Sequence, residues 1–160
     1  MGGLLTTSVE LETLAPATLS ATGAFTNVAN LEARPGLLPF GVNSPLWLDG
    51  APKLRWMAIS HAGVPDAPSE RMVFSETGAW KFPVGTVFVK NFEWLTDQAN
   101  PLTVRRLETR FLVHGSDGNY YGLTYRWKTD GLEADLFLGG GEDDVVFTEL
   151  DGGTRTEKWA

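Results

Sequence analysis

Six tryptophans (Trp47, Trp56, Trp80, Trp94, Trp127, Trp159) and three tyrosines (Tyr120, Tyr121, Tyr125) give this chain its clearest capacity for recognition chemistry. An exposed aromatic ring can stack on the apolar face of a sugar while a neighbouring Asp, Asn or Arg bonds the hydroxyls. On that chemistry the candidate ligand-binding set is Trp47, Asp49, Trp56, Tyr120, Tyr121 and Trp127. Core packing is the plainer account of any single ring, because large aromatics are mostly buried. Trp47 and Tyr120, each beside turn residues, are the expected exceptions.

Other groups offer less. His61 and His114 are the only histidines, and neither has a second ligand at a recognised metal spacing. A site joining both to Asp49 or Asp66 would need distant strands to converge, so no metal ligand is assigned. The run Gly139-Gly140-Gly141-Glu142-Asp143-Asp144 lacks the alternating oxygen spacing of a calcium loop and the Lys-Ser/Thr ending of a phosphate loop. It reads as a solvated acidic turn. Arg106, Glu108 and Arg110 share one face of a strand, where alternating charge builds a cross-strand ion-pair ladder more simply than an anion clamp with Arg105. No serine sits in a nucleophile elbow, and sequence gives no distance between Glu76, Glu93, Glu108 and Glu142 that would make a catalytic carboxylate pair. No catalytic residue is assigned. An enzyme working through a metal or carboxylates, with His61, His114, Asp49 and Glu108 converging in a β-cleft, and a purely structural spacer stand as the alternatives to a binding module.

The frame that must position these groups follows from composition. At 160 residues, 42% of them hydrophobic, the chain suits one domain with a real core. Eighteen glycines and nine prolines demand many turns and favour short strands over long helices. A net charge of -7 argues against a nucleic-acid partner and suits a neutral or cationic one. The absence of cysteine excludes disulfides, thiolate metal sites and covalent c-type haem within this chain. Met1 to Ser8 has neither a basic nor an adequate apolar region of an export signal, and no apolar run is long enough for a membrane span.

Along the chain, residues 1–18 read as a flexible arm and 19–160 as a single β-domain. Phe25 to Leu31 is the best candidate for one short N-terminal helix, after possible caps at Ser20 and Thr22. Strands are expected over Leu54–Ser60, Arg71–Ser75, Thr86–Trp94, Val104–His114, Tyr120–Trp127, Leu132–Leu138 and Asp144–Leu150, with turns at Ser116–Asn119 and Thr129–Gly131. The Pro83-Val84-Gly85 corner bends the chain into Thr86–Trp94, whose two apolar sides mark a central strand covered on both faces. The expected fold is mainly all-β: an antiparallel sandwich or barrel-like meander.

Several ordered blocks carry a family likeness. They are Leu19 to Phe25, Val42 to Trp56, Trp80 to Phe92, Leu107 to Arg110 and Tyr121 to Trp127, together spanning most of residues 19–159. As a set they resemble a β-domain of bacterial exported proteins that also carry c-type cytochrome modules, some of them relatives of pyrroloquinoline-quinone sugar dehydrogenases. In such proteins a Cys-x-x-Cys-His haem motif commonly follows the counterpart of Thr154 to Trp159, and this chain has no such motif. The resemblance implies a secreted or periplasmic accessory module, with no cofactor of its own and a c-type haem in a neighbouring module. It implies as partners a polysaccharide or oligosaccharide and a cytochrome module, while net charge and the lack of a long apolar run set aside nucleic acid and membrane insertion. The expected function is a noncatalytic carbohydrate-binding or docking module of an exported redox protein.

Overall fold

The computed structural model describes residues 15–44, 52–60 and 68–159. Its framework is a six-stranded antiparallel sheet in the order β3-β4-β5-β6-β7-β8, a meander in which each strand pairs with its sequence neighbour. The strands are β3 (Leu38–Pro39), β4 (Lys53–Ala58), β5 (Val87–Leu95), β6 (Val104–His114), β7 (Tyr120–Trp127) and β8 (Ala134–Phe137). Two hairpins complete the fold: β1 (Phe25–Asn27) with β2 (Glu32–Ala33), and β9 (Asp143–Thr148) with β10 (Thr154–Trp159). The expected all-β, antiparallel class is observed. Strands β6 and β7 occupy the expected spans, while β10 lies beyond the last strand the sequence pattern marks.

The N-terminal helix is where expectation and structure part. Phe25 to Leu31 is not helical: it forms β1 and the turn into β2, and the helical piece nearby among the described residues is a single 3-10 turn at Ser20–Thr22. Thr22 Oγ1 donates back to the Leu19 carbonyl at 2.6 Å, a bond that serves a turn as readily as a helix. Residues 15–18, expected in the arm, are tied to the sheet: Leu136 N donates to Ala17 O, Tyr125 Oη donates to Pro16 O, and Thr18 bridges Asp135. Arg71 to Ser75 contributes only an isolated bridge between Val73 and Lys81.

The alternation of side chains divides the meander into two faces. One face sends Trp56, Val89, Phe111, Leu123 and Tyr125 into the main core, where Leu19, Phe25, Val28, Leu31 and Leu37 of the N-terminal segment cover them. On the other face Phe92, Leu107, Val145 and Trp159 form a smaller core beneath the β9–β10 hairpin. This second core depends on a register shift. The β5–β6 ladder slips between Phe92 and Glu93, so Phe92 opposes Glu108 while Glu93 opposes Arg106. Leu107 is the extra residue of a bulge, and it joins the second core although its parity would place it in the first. The central position expected for β5, with cover on both faces, is thereby met at Val89 and Phe92.

The Pro83–Thr86 corner is a turn closed by Thr86 N donating to Pro83 O at 3.1 Å, with Gly85 at φ 84° in its third position. A Cβ on Gly85 would lie 2.7 Å from Ser60 Cβ, so both conformation and space require glycine. Gly85→Ala is expected to destabilise the protein by about 2 kcal/mol in chemical denaturation. Adding Ser60→Gly should recover only part of that loss, because it removes the clash and leaves the φ strain; full recovery would refute the conformational part of the account.

Candidate functional site

Of the six residues proposed from sequence, Trp47 and Asp49 lie outside the described residues. Trp56, Tyr121 and Trp127 are each 8% exposed and belong to the main core, so they present no ring to a ligand. Trp56 packs edge-on against Phe25 at 5.3 Å. Trp127 donates its indole N–H to both Asn91 Oδ1 and Thr109 Oγ1 at 3.0 Å, and Thr109 Oγ1 donates to Asn91 Oδ1 at 2.7 Å. The need of a buried indole for a partner is met inside the protein. The neighbouring Tyr125 has its hydroxyl pushed up to about 12 by burial. Tyr120 alone of the described candidates is open, at 46% exposure, and it stacks on His114 with ring centroids 4.4 Å apart. His114 in turn donates from Nδ1 to Pro83 O at 3.0 Å. His61 and Asp66 lie outside the described residues, and among those described no three His, Cys, Asp or Glu side chains converge to hold a metal ion.

The structure exposes different aromatics. Trp80 and Phe74, at 50% and 67% exposure, pair edge-on at 5.4 Å. Two residues after Trp80, Phe82 packs edge-on against Phe88 at 4.8 Å, and Phe40 also meets Phe88 edge-on at 6.3 Å. Phe88 shares its row with Met57 on β4 and the exposed Leu112 on β6. This apolar row lies on the face opposite the main core, toward the end of the sheet that carries Tyr120.

The next row on that face is cationic. Arg55, Lys90 and Arg110 stand directly opposite one another on β4, β5 and β6, and Lys53 follows Arg55 one step down the same face. Like charges on facing strand positions repel, and nothing in a fold requires them there. Lys90 registers the repulsion: half-burial first, and then Arg55, Lys53 and Arg110, hold its ammonium below its ordinary value of 10.5. Arg55 reaches only a backbone acceptor, the Lys53 carbonyl at 3.3 Å, and Lys90 leans over the Phe92 ring at 5.6 Å. Neither has an acidic partner among the described residues.

The counter-charge is below, and it is spent. Glu108, 2% exposed, is the one acid that β4–β7 place on this face, in the row Lys53, Phe92, Glu108, Arg126. Its Oε2 accepts from Arg110 Nε at 2.7 Å and lies 2.6 Å from Arg110 Nη2, while Arg126 Nε stands 3.5 Å from Oε1. Arg126 continues outward to Asp143 at 3.1 Å and donates to Gly141 O, linking the sheet to β9 and to the segment leading into it. The exposed ion-pair ladder expected at Arg106, Glu108 and Arg110 is therefore a different object. Glu108 and Arg110 pair at a buried carboxylate, whereas the bulge turns Arg106 to the other face, where it meets Glu93 at 3.6 Å and lies 4.9 Å from Trp127. The acidic turn at 139–144 is likewise structural, since Glu142 pairs with Lys158 and Asp143 with Arg126.

A concavity of about 530 Å³ lies at the opposite end of β6 and β7, lined among others by Asn30, Arg105, Arg106, Lys128 and Asp130. Its cations are largely engaged, with Lys128 on Asp135 and Arg106 on Glu93 and two backbone carbonyls. Comparison with known protein families, curated proteins and solved structures returned no match. None of the described helices is long and apolar enough to cross a membrane.

Sequence reasoning passed over Arg55 and Lys90. The signal was present as Lys53-x-Arg55 and Phe88-x-Lys90-x-Phe92, two alternating patterns that become one site only once the β4–β5 register is known. Two charge-removing substitutions should act in opposite directions. Glu108→Gln is expected to cost about 2 kcal/mol, because it leaves two partly buried guanidinium groups short of their counter-ion. Lys90→Gln is expected to stabilise the protein by about 0.5 kcal/mol at neutral pH by removing like-charge repulsion. Unfolded Lys90 keeps its proton to higher pH than folded Lys90, so rising pH relieves the wild-type penalty, and the advantage of Lys90→Gln should shrink as pH approaches 10.5. Denaturation midpoints across that range check both signs.

Proposed function

We propose that this chain is a noncatalytic carbohydrate-binding module, with its ligand-binding surface on the face of the six-stranded sheet that the N-terminal segment leaves uncovered. The observation that carries this reading is the juxtaposition of rows on that face. An apolar row of Met57, Phe88 and Leu112 lies directly beside the row of Arg55, Lys90 and Arg110, and Tyr120, opposite His114, stands one row beyond it on the same face. A sugar ring has one apolar face and a hydroxyl rim, and adjacent apolar and donor-rich strips match those two aspects. Arg supplies five N–H donors and Lys three, none of which competes with hydroxyls as an acceptor.

The resemblance to β-domains of exported, cytochrome-associated proteins fits the same reading. In that setting the module would hold a polysaccharide near a redox partner, with a c-type haem in the neighbouring module and a secreted or periplasmic location. An enzymatic reading finds less support, since the buried acid nearest the face, Glu108, is committed to Arg110 and Arg126.

Affinity without turnover is the expected behaviour. Insoluble-polysaccharide pull-down and a glycan array should detect binding at micromolar to millimolar strength, with no reducing ends released on prolonged incubation. Tyr120→Ala and Leu112→Ser should each weaken it several-fold while leaving the unfolding midpoint nearly unchanged. Glycan cleavage would show that the module is an enzyme; retention of every glycan by both variants would move the site elsewhere.

A further inference from the structure

We infer that the glycan recognised on this face is acidic, a polysaccharide bearing carboxylates on its sugar rings, with Arg55 and Lys90 as the groups that read the charge. The inference rests on the carbohydrate-binding reading and specifies the substrate class of the same face.

Three observations carry it. Arg55 and Lys90 are aligned across neighbouring strands with no acidic partner among the described residues, an arrangement costly to an isolated protein and relieved by an anion between them. Glu108 cannot supply that anion, because two arginines already hold it beneath the surface. The cations also sit against apolar side chains, Lys90 between Phe88 and Phe92 along its own strand, so a bound carboxylate would meet them away from bulk water, where the attraction is strongest.

Charge spacing selects among polyanions. Adjacent strands are ~4.8 Å apart, so the row from Arg55 to Arg110 spans roughly 10 Å, a scale that suits one charge per sugar ring. Duplex DNA carries a charge about every 1.7 Å, and dense polyanions would meet this small row together with the repulsion of a chain whose net charge is -7. The long-range field is screened beyond about 10 Å at 0.1 M salt, whereas contacts at the row are not, which favours a sparsely charged polymer. The neutral or cationic partner expected from net charge is thus replaced by an anionic one, because the charge at the contact face is opposite in sign to the total.

The test compares polygalacturonate, its fully methyl-esterified form, a neutral xylan, dextran sulfate and single-stranded DNA by titration calorimetry with the full chain. Polygalacturonate is expected to bind at least about tenfold more tightly than its methyl ester, the worth of one charge-assisted hydrogen bond, and to weaken as salt is raised. Arg55→Gln and Lys90→Gln should each remove about that factor, and Lys90→Arg should retain it, with all variants keeping the wild-type circular dichroism. Equal affinity for polygalacturonate and its ester, unchanged by the variants, overturns the acidic-glycan inference and leaves the carbohydrate reading intact. Binding of dextran sulfate or DNA as tightly as polygalacturonate overturns the carboxylate-glycan assignment in favour of generic polyanion capture. Absence of binding to every polysaccharide overturns both.

Discussion

Everything on the face opposite the main core depends on how Glu108 is neutralised. A carboxylate withdrawn from water needs counter-charge close by, and this one takes Arg110 from its own strand and Arg126 from the next. Arg110 then lies over the Phe92 ring at 4.9 Å and the Trp159 ring at 5.9 Å, and Arg126 lies 3.7 Å from the Phe137 ring centroid. One buried acid thereby anchors the β9–β10 hairpin to the sheet and packs the aromatics of the second core. It also exhausts the negative charge that the central strands bring to that face, so the repulsion between Arg55 and Lys90 has no acid among the described residues to offset it. A fold optimised for stability alone would have no use for that repulsion, whereas a surface that captures anions would.

The bulge at Leu107 decides which side chains accompany Glu108. In an unbroken ladder Leu107 would join Thr109 and Phe111 in the main core. With the extra residue, Leu107 turns into the second core, and Arg106 crosses to the side of Trp127. A single inserted residue thus sorts the arginines of one strand into two functions. Arg106 braces the N-terminal segment through the Ala29 carbonyl at 2.6 Å, and Arg110 neutralises a buried acid.

Much of the architecture was legible in the sequence because strand alternation and turn chemistry are local. Val104–His114 and Tyr120–Trp127 declare themselves through period-two patterning and a Ser-Asp-Gly-Asn turn, and Gly85 through a Pro-x-Gly corner. What could not be read was set by contacts between distant segments. Phe25 to Leu31 has helix-compatible residues, yet Phe25 is drawn onto Trp56 and the segment pairs as a hairpin. The binding candidates were chosen by residue type, and type does not reveal face. Trp127 and Tyr121 share parity with Leu123 and point inward, while Trp80, absent from the candidate set, stands outside. Arg55 and Lys90 are unremarkable singly and form a site only through cross-strand register, which no single-strand pattern contains.

The central claim is that Arg55 and Lys90, without an acidic partner among the described residues, define where this protein meets its ligand, rather than the aromatic residues in general. Two-dimensional NMR titration of the isotopically labelled chain with oligogalacturonate tests it most directly. The account predicts that the largest shift changes fall on the amides of Arg55, Lys90, Arg110 and Leu112 and on the Arg55 Nε–H, with the main-core indole of Trp127 unmoved. Changes centred instead on Asn30, Arg105 and Lys128, around the opposite cleft, would contradict it.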